Sequence, residues 1–105
     1  MRQTLSDNAN PVLVYEFGES KALAFNAGGA LRTTIPDSGE KGPEVIRLTS
    51  TAPMYFALGS ETVDATNQDV ILVTFDPILV RVRGATHLSA LGVIGGGTLN
   101  IAEVL

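Results

Sequence analysis

The chain has 105 residues, 45% of them hydrophobic and 17% charged, with 11 Gly, 5 Pro, one His and neither Cys nor Trp. That length supports one domain with one core, and the lack of cysteine excludes a disulfide scaffold, a thiolate zinc site and thiol chemistry. Seven basic residues against 11 acidic ones, a formal net charge of −4, argue against a nucleic-acid or anionic-membrane binder, which needs a basic patch.

Val, Ile and Thr number 10, 6 and 10, so a quarter of the chain is β-branched and suited to pleated strands. Residues 1–10 are polar, with Arg2, Gln3, Thr4, Ser6, Asp7 and Asn8, and lack the apolar run of a signal peptide. They read as a polar N-terminal arm ahead of a single β-sandwich domain over residues 11–105. The longest uncharged stretch, Gly84–Ala102, is interrupted by His87, Gly92, Gly95, Gly96, Gly97 and Asn100, a composition unsuited to hydrocarbon. A soluble protein made inside the cell is expected.

Along the chain, short alternating runs are separated by turn residues. Val12–Phe17 sets Leu13, Tyr15 and Phe17 on one face; Gly18-Glu19-Ser20 reads as a break; Lys21–Asn26 sets Leu23 and Phe25 opposite Ala22 and Ala24. These two runs predict a hairpin. Leu31–Ile35 is the third candidate strand, and Pro36–Pro43, with two Pro, two Gly and three charges, predicts an exposed loop. Glu44–Thr49 points Ile46 and Leu48 inward and Arg47 outward, and Met54–Leu58 follows, stopped by Gly59. A long polar loop is expected over Gly59–Asp69, then a continuous apolar strand over Val70–Phe75. Ile78, Val80 and Val82 alternate with outward Arg81 and Arg83. Thr86–Ile94 and Thr98–Leu105 complete the set around the Gly95-Gly96-Gly97 turn. Eight or nine such strands predict an all-β fold, an antiparallel β-sandwich of jelly-roll-like kind. The apolar end Ala102-Glu103-Val104-Leu105 is expected to dock in a sheet or against a neighbour.

Candidate chemistry is sparse. His87 is the only histidine, with Ser89 on the same strand face; no orienting acid or oxyanion turn accompanies them, and a structural histidine is the favoured reading. Glu61, Asp64, Asn67 and Asp69 offer oxygen ligands from one loop but lack the spacing of a calcium loop. Asp37, Glu40 and Glu44 sit in open sequence, where nothing desolvates a carboxylic acid. Gly92, Gly95, Gly96 and Gly97 do not make a phosphate-binding spacing and read as a hairpin turn. Arg81 and Arg83, with Arg47 on a neighbouring strand, form the only basic cluster, and no aromatic is expected beside them. Salt bridges to a partner subunit or a solvated strand face explain it. Tyr15, Phe17, Phe25, Tyr55, Phe56 and Phe75 read as core. Neither a catalytic residue, a metal nor a cofactor is expected.

From residue 44 onward the signals follow a recognisable order: Glu44-Val-Ile-Arg-Leu48, Ala52-Pro-Met-Tyr-Phe-Ala-Leu-Gly59, Val63-Asp-Ala-Thr66, Asp76-Pro-Ile-Leu-Val-Arg-Val-Arg83 and Gly97-Thr-Leu-Asn-Ile-Ala-Glu-Val104. This order resembles that of the small β-sandwich structural proteins of tailed bacteriophages. The resemblance implies a non-enzymatic virion component: a capsid decoration or cement protein on the head shell, or a neck or tail accessory. It further implies a location on the capsid surface after synthesis in the host cytoplasm. The implied partners are the major capsid protein or other virion proteins and further copies of the chain, as trimer or dimer. Neither nucleic acid nor membrane is an expected partner. The arm (Arg2, Asp7), the loop (Asp37, Glu40, Lys41), the basic cluster (Arg47, Arg81, Arg83) and Leu105 are the expected contact residues. A carbohydrate-binding sandwich is the competing reading, with calcium held through Asp64 and Asp69.

Overall fold

The computed structural model describes residues 3–5, 13–37, 44–73 and 76–105, and these contain ten β-strands and no helix. Strands β1 (Gln3–Leu5) and β2 (Leu13–Tyr15) pair with each other alone. The remaining eight are β3 (Phe17–Phe25), β4 (Leu31–Thr34), β5 (Val45–Ser50), β6 (Met54–Gly59), β7 (Val70–Leu72), β8 (Ile78–Arg81), β9 (His87–Gly92) and β10 (Gly97–Val104). They form two four-stranded antiparallel sheets: sheet I in the order β3-β10-β5-β8 and sheet II in the order β4-β9-β6-β7.

The pairing has a simple logic. Strand β3 pairs with β10, β4 with β9, β5 with β8 and β6 with β7, as in one long hairpin folded back on itself. Rolling that hairpin brings β10 beside β5 and β9 beside β6, which completes both sheets. This is the jelly-roll arrangement of eight strands in a two-sheet sandwich. The turns after β3, β5, β7 and β9 therefore share one end of the sandwich, and the connections after β4, β6 and β8 share the other.

Alternation decides which side chains meet between the sheets, because residues two apart on a strand share a face. Ile46 and Leu48 on β5 face Val80 and Ile78 on one side and Glu103 and Ile101 on the other. Phe25 and Leu23 continue the row beyond Gly97 and Leu99. Met54, Phe56, Leu72, Leu88 and Ala90 close the core from sheet II. Ile46, Leu48, Met54, Leu88, Leu99 and Ile101 are fully buried. Glu103 shares this inward row and is buried as well, although its side chain ends in a carboxyl group.

Several local expectations need correction. Val12–Phe17 and Lys21–Asn26 are not a hairpin: β3 runs unbroken from Phe17 to Phe25 along the length of β10. Gly18-Glu19-Ser20 is a bulge instead of a break, since Phe17 pairs with Val104 and Ser20 with Ala102, leaving one extra residue on β3. Phe17 is thereby turned out of the core, 46% exposed. Pro36, expected in an exposed loop, is buried next to Ile35, whose N–H donates to the Thr86 carbonyl at 2.9 Å. The run from Val70 is a strand only to Leu72, an edge strand on which Leu72 alone is buried. Strand β9 stops at Gly92, leaving Ile94 in the following turn. Strand β8 stops at Arg81 because a tight turn follows: Ala85 N–H donates to Val82 O at 3.2 Å, with Arg83 at φ 54° and Gly84 at φ 80°. Positive φ at both central residues is the geometry of a type I′ turn.

Candidate functional site

His87 opens β9, and its Nδ1 lies 2.9 Å from the Thr86 hydroxyl. Ser89 follows on the same outward face of sheet II, opposite Ala57 on one side and Arg32 on the other. Its hydroxyl is committed elsewhere. The loop after β6 folds back over this face, Ala65 is buried against it, and Ala65 N–H donates to Ser89 Oγ at 2.9 Å. The same loop is held at its rim by Arg32, whose Nη1 donates to the Glu61 carbonyl at 2.6 Å and whose Nε lies 3.8 Å from Asp64. We expect Ser89→Ala to destabilise the fold by about 1–2 kcal/mol, because Ala65 N–H loses its acceptor inside a buried contact. Urea unfolding measures that loss, and faster proteolysis between residues 60 and 69 locates it.

The acidic side chains of that loop are dispersed among separate tasks. Asp69 Oδ2 accepts from Thr66 N–H at 2.7 Å and from the Thr66 hydroxyl at 3.2 Å, which clamps a turn closed by Asp69 N–H to Thr66 O at 3.0 Å. Asp64 faces Arg32, and Glu61 contributes its carbonyl. Among the described residues no three His, Cys, Asp or Glu side chains converge on a point that suits a metal ion. Asp37 and Glu44 are exposed, and Glu44 O accepts Val82 N–H at 2.9 Å. Arg2, Asp7, Glu40 and Lys41 lie outside the described residues, as does Phe75.

The glycine cluster is structural. Gly92 N–H donates to Asn26 O at 2.8 Å, so the turn after β9 is packed against the turn after β3. Gly97 starts β10 beside Phe25 and Thr51.

Sequence-predicted contact residues do come together on the outward face of sheet I. Alternation sets Val45, Arg47 and Thr49 of β5 outward, next to Leu79 and Arg81 of β8 and to Ala102 and Val104 of β10. Phe17 joins them opposite Val104. Contrary to expectation an aromatic does stand beside the arginines: the Arg47 guanidinium lies over the Phe17 ring, 4.7 Å from its centroid. Such a cation–π contact is worth ~0.5–1 kcal/mol at an exposed site. Arg83 does not belong to this face, since it sits in the turn beyond the strand, lining a shallow depression of about 520 Å³ with Leu58, Ser60 and Val82. Beside Arg47, Phe17, Pro77, Ile78 and Leu79 enclose a smaller niche of about 260 Å³.

Two polar atoms on this face are buried without a hydrogen-bond partner among the described residues, Arg47 Nε and Thr49 Oγ1, two residues apart on one strand. An unpaired buried donor is costly. Leu105 continues from β10 at the rim; its N–H donates to Glu16 O at 2.8 Å, and its side chain is 40% exposed. Sequence reasoning missed Phe17 and Thr49 as members of this face. The available signal was Gly18, because a glycine inside an alternating run marks a bulge as well as a turn.

No family model, curated protein or solved structure matches the chain.

Proposed function

We propose that this protein is a non-enzymatic structural component of a tailed-phage virion, a decoration or cement protein that binds the head shell through the outward face of sheet I. One observation carries the reading. That face combines exposed apolar groups, Phe17 and Leu79, with the Arg47 guanidinium, whose buried Nε has no acceptor among the described residues. Burying an aromatic and an aliphatic group beside an arginine that gains a carboxylate is how compact protein interfaces concentrate their binding energy. The resemblance over residues 44–105 supports the reading: its segments supply β5, β6, β8 and β10, two of which carry Arg47, Leu79 and Arg81.

Quantitative mass spectrometry of purified particles whose genome encodes the chain tests this. The expected result is a copy number comparable with that of the major capsid protein. Arg47→Glu should then lower occupancy by roughly tenfold or more through loss of a desolvated charge contact, with the isolated fold unchanged by circular dichroism. Absence of the chain from particles overturns the proposal, and a handful of copies per particle moves it to the neck or tail.

A further inference from the structure

We propose that β7 is a self-pairing edge: two copies join antiparallel across a two-fold axis at Leu72, continuing sheet II into one sheet of eight strands. The inference is independent of the virion reading.

Among the described residues, four of the eight exposed large hydrophobics fall between residues 70 and 79: Val70, Ile71, Val73 and Leu79. Three of them belong to β7 or adjoin it, and Val70, Ile71 and Val73 are 62%, 47% and 55% exposed. Among the described residues strand β7 is the edge of sheet II and pairs only with β6, so its far side presents backbone groups outside the ladder they form. Residues 70–75, Val-Ile-Leu-Val-Thr-Phe, hold no charge, no Pro and no Gly in a chain of net charge −4. A neutral, β-branched, apolar edge is the kind that pairs with another strand unless something covers it.

The opposite edge of the same sheet is guarded differently. Strand β4 carries Arg32, tied to Glu61 and Asp64, and Thr34, whose hydroxyl accepts from Lys21 Nζ. Charged side chains on an edge are a common device against pairing. Strand β7 lacks that device.

A second copy fits this edge on three counts. An antiparallel strand pairs with itself about a two-fold axis, which closes the assembly at two and gives an isologous interface. With the axis at Leu72, Leu72 faces its counterpart on the core side, so both cores stay on one face of the joined sheet. The same register sets Ile71 of each copy opposite Val73 of the other on the outward side, covering both exposed chains with an apolar cross-strand pair. Pleating excludes the next register, in which the axis falls between Leu72 and Val73, because it would set core-side Leu72 of one copy opposite outward Val73 of the other.

The test is the solution mass of the full chain. Sedimentation equilibrium should give a dimer, and Ile71→Lys and Val73→Lys should each raise its dissociation constant by roughly tenfold or more, by setting a charge against an apolar cross-strand partner. Circular dichroism confirms that each variant is folded. As the chain has no cysteine, the doubly substituted Ile71→Cys/Val73→Cys protein gives a second readout: mild oxidation should yield a covalent dimer, reversed by reductant. A monomer across the concentration range overturns the proposal. So does a dimer that survives both lysine substitutions and resists cross-linking, since its interface then lies elsewhere.

Discussion

Gly92→Ala should strongly destabilise this protein. A Cβ at residue 92 would stand 2.1 Å from the Gly95 carbonyl oxygen, 3.0 Å from the Asn26 carbonyl carbon and 3.2 Å from Ala27 N. All three are backbone atoms, so no side-chain rotation relieves the overlap. The turn after β9 and the turn after β3 must part, and the hydrogen bond from Gly92 N–H to Asn26 O goes with them. Overpacking against fixed backbone together with a lost buried hydrogen bond amounts to about 3–4 kcal/mol. At roughly 4–8 °C per kcal/mol for a domain near this size, the thermal midpoint falls by about 15 °C or more. Gly95→Ala is the control: a Cβ there meets nothing within 4 Å, and its melting curve should nearly overlay the parent's. Equal melting of the two variants would falsify the close approach of the two turns.

Leu48→Ala should produce the second large effect, through the core. Leu48 is fully buried on β5, between Ile101 of β10 and Ile78 of β8 in its own sheet, and it faces sheet II. Both flanking strands are hydrogen-bonded to β5, so the site cannot collapse to fill the space that truncation leaves. Removing a leucine side chain from such a position costs ~3 kcal/mol, the transfer contribution plus that of the residual cavity. Leu79→Ala, on the same sheet but outward and 46% exposed, should cost less than about 1 kcal/mol. Urea unfolding separates the two, with midpoints shifted unequally at similar slopes. If Leu79→Ala proves the costlier substitution, the inward and outward faces of sheet I have been assigned the wrong way round.

The legible parts of this sequence were those where a strand is half buried. Ile46 and Leu48, then Ile78, Val80 and Val82, alternate with polar or exposed residues, and all five lie in or against the core. Period two survives because each of these strands has one face between the sheets and one turned outward. It fails where that condition fails. Val70 to Phe75 reads as one continuous apolar strand, yet β7 is a short edge with Leu72 alone inside. The edge position of β7 has no local signal, since it depends on which strand lies alongside.

The candidate site divides in the same way. Arg47 and Arg81 were recognisable as outward residues of neighbouring strands, because alternation orients them whatever their partners are. Phe17 was not, since it reaches Arg47 only after the bulge at residues 18–20 and the pairing of β3 with β10. Ser89 looked like a companion for His87 on one strand face. Only the return of the loop after β6 shows its hydroxyl occupied by Ala65 N–H.

What the sequence by itself determined is therefore the material of the fold: a chain a quarter β-branched, punctuated by Gly and Pro, divided into short strands with one apolar face. Its length and its lack of cysteine set the scale at one core without cross-links. The tertiary structure alone decided the order of those strands. Strand β3 finds β10 from the far end of the chain, and β4 finds β9. Such pairings arise from long-range burial and twist, which no window of neighbouring residues encodes. The same long-range pairing decides which apolar residues remain outside, and so sets both the Arg47–Phe17 face and the bare edge at β7.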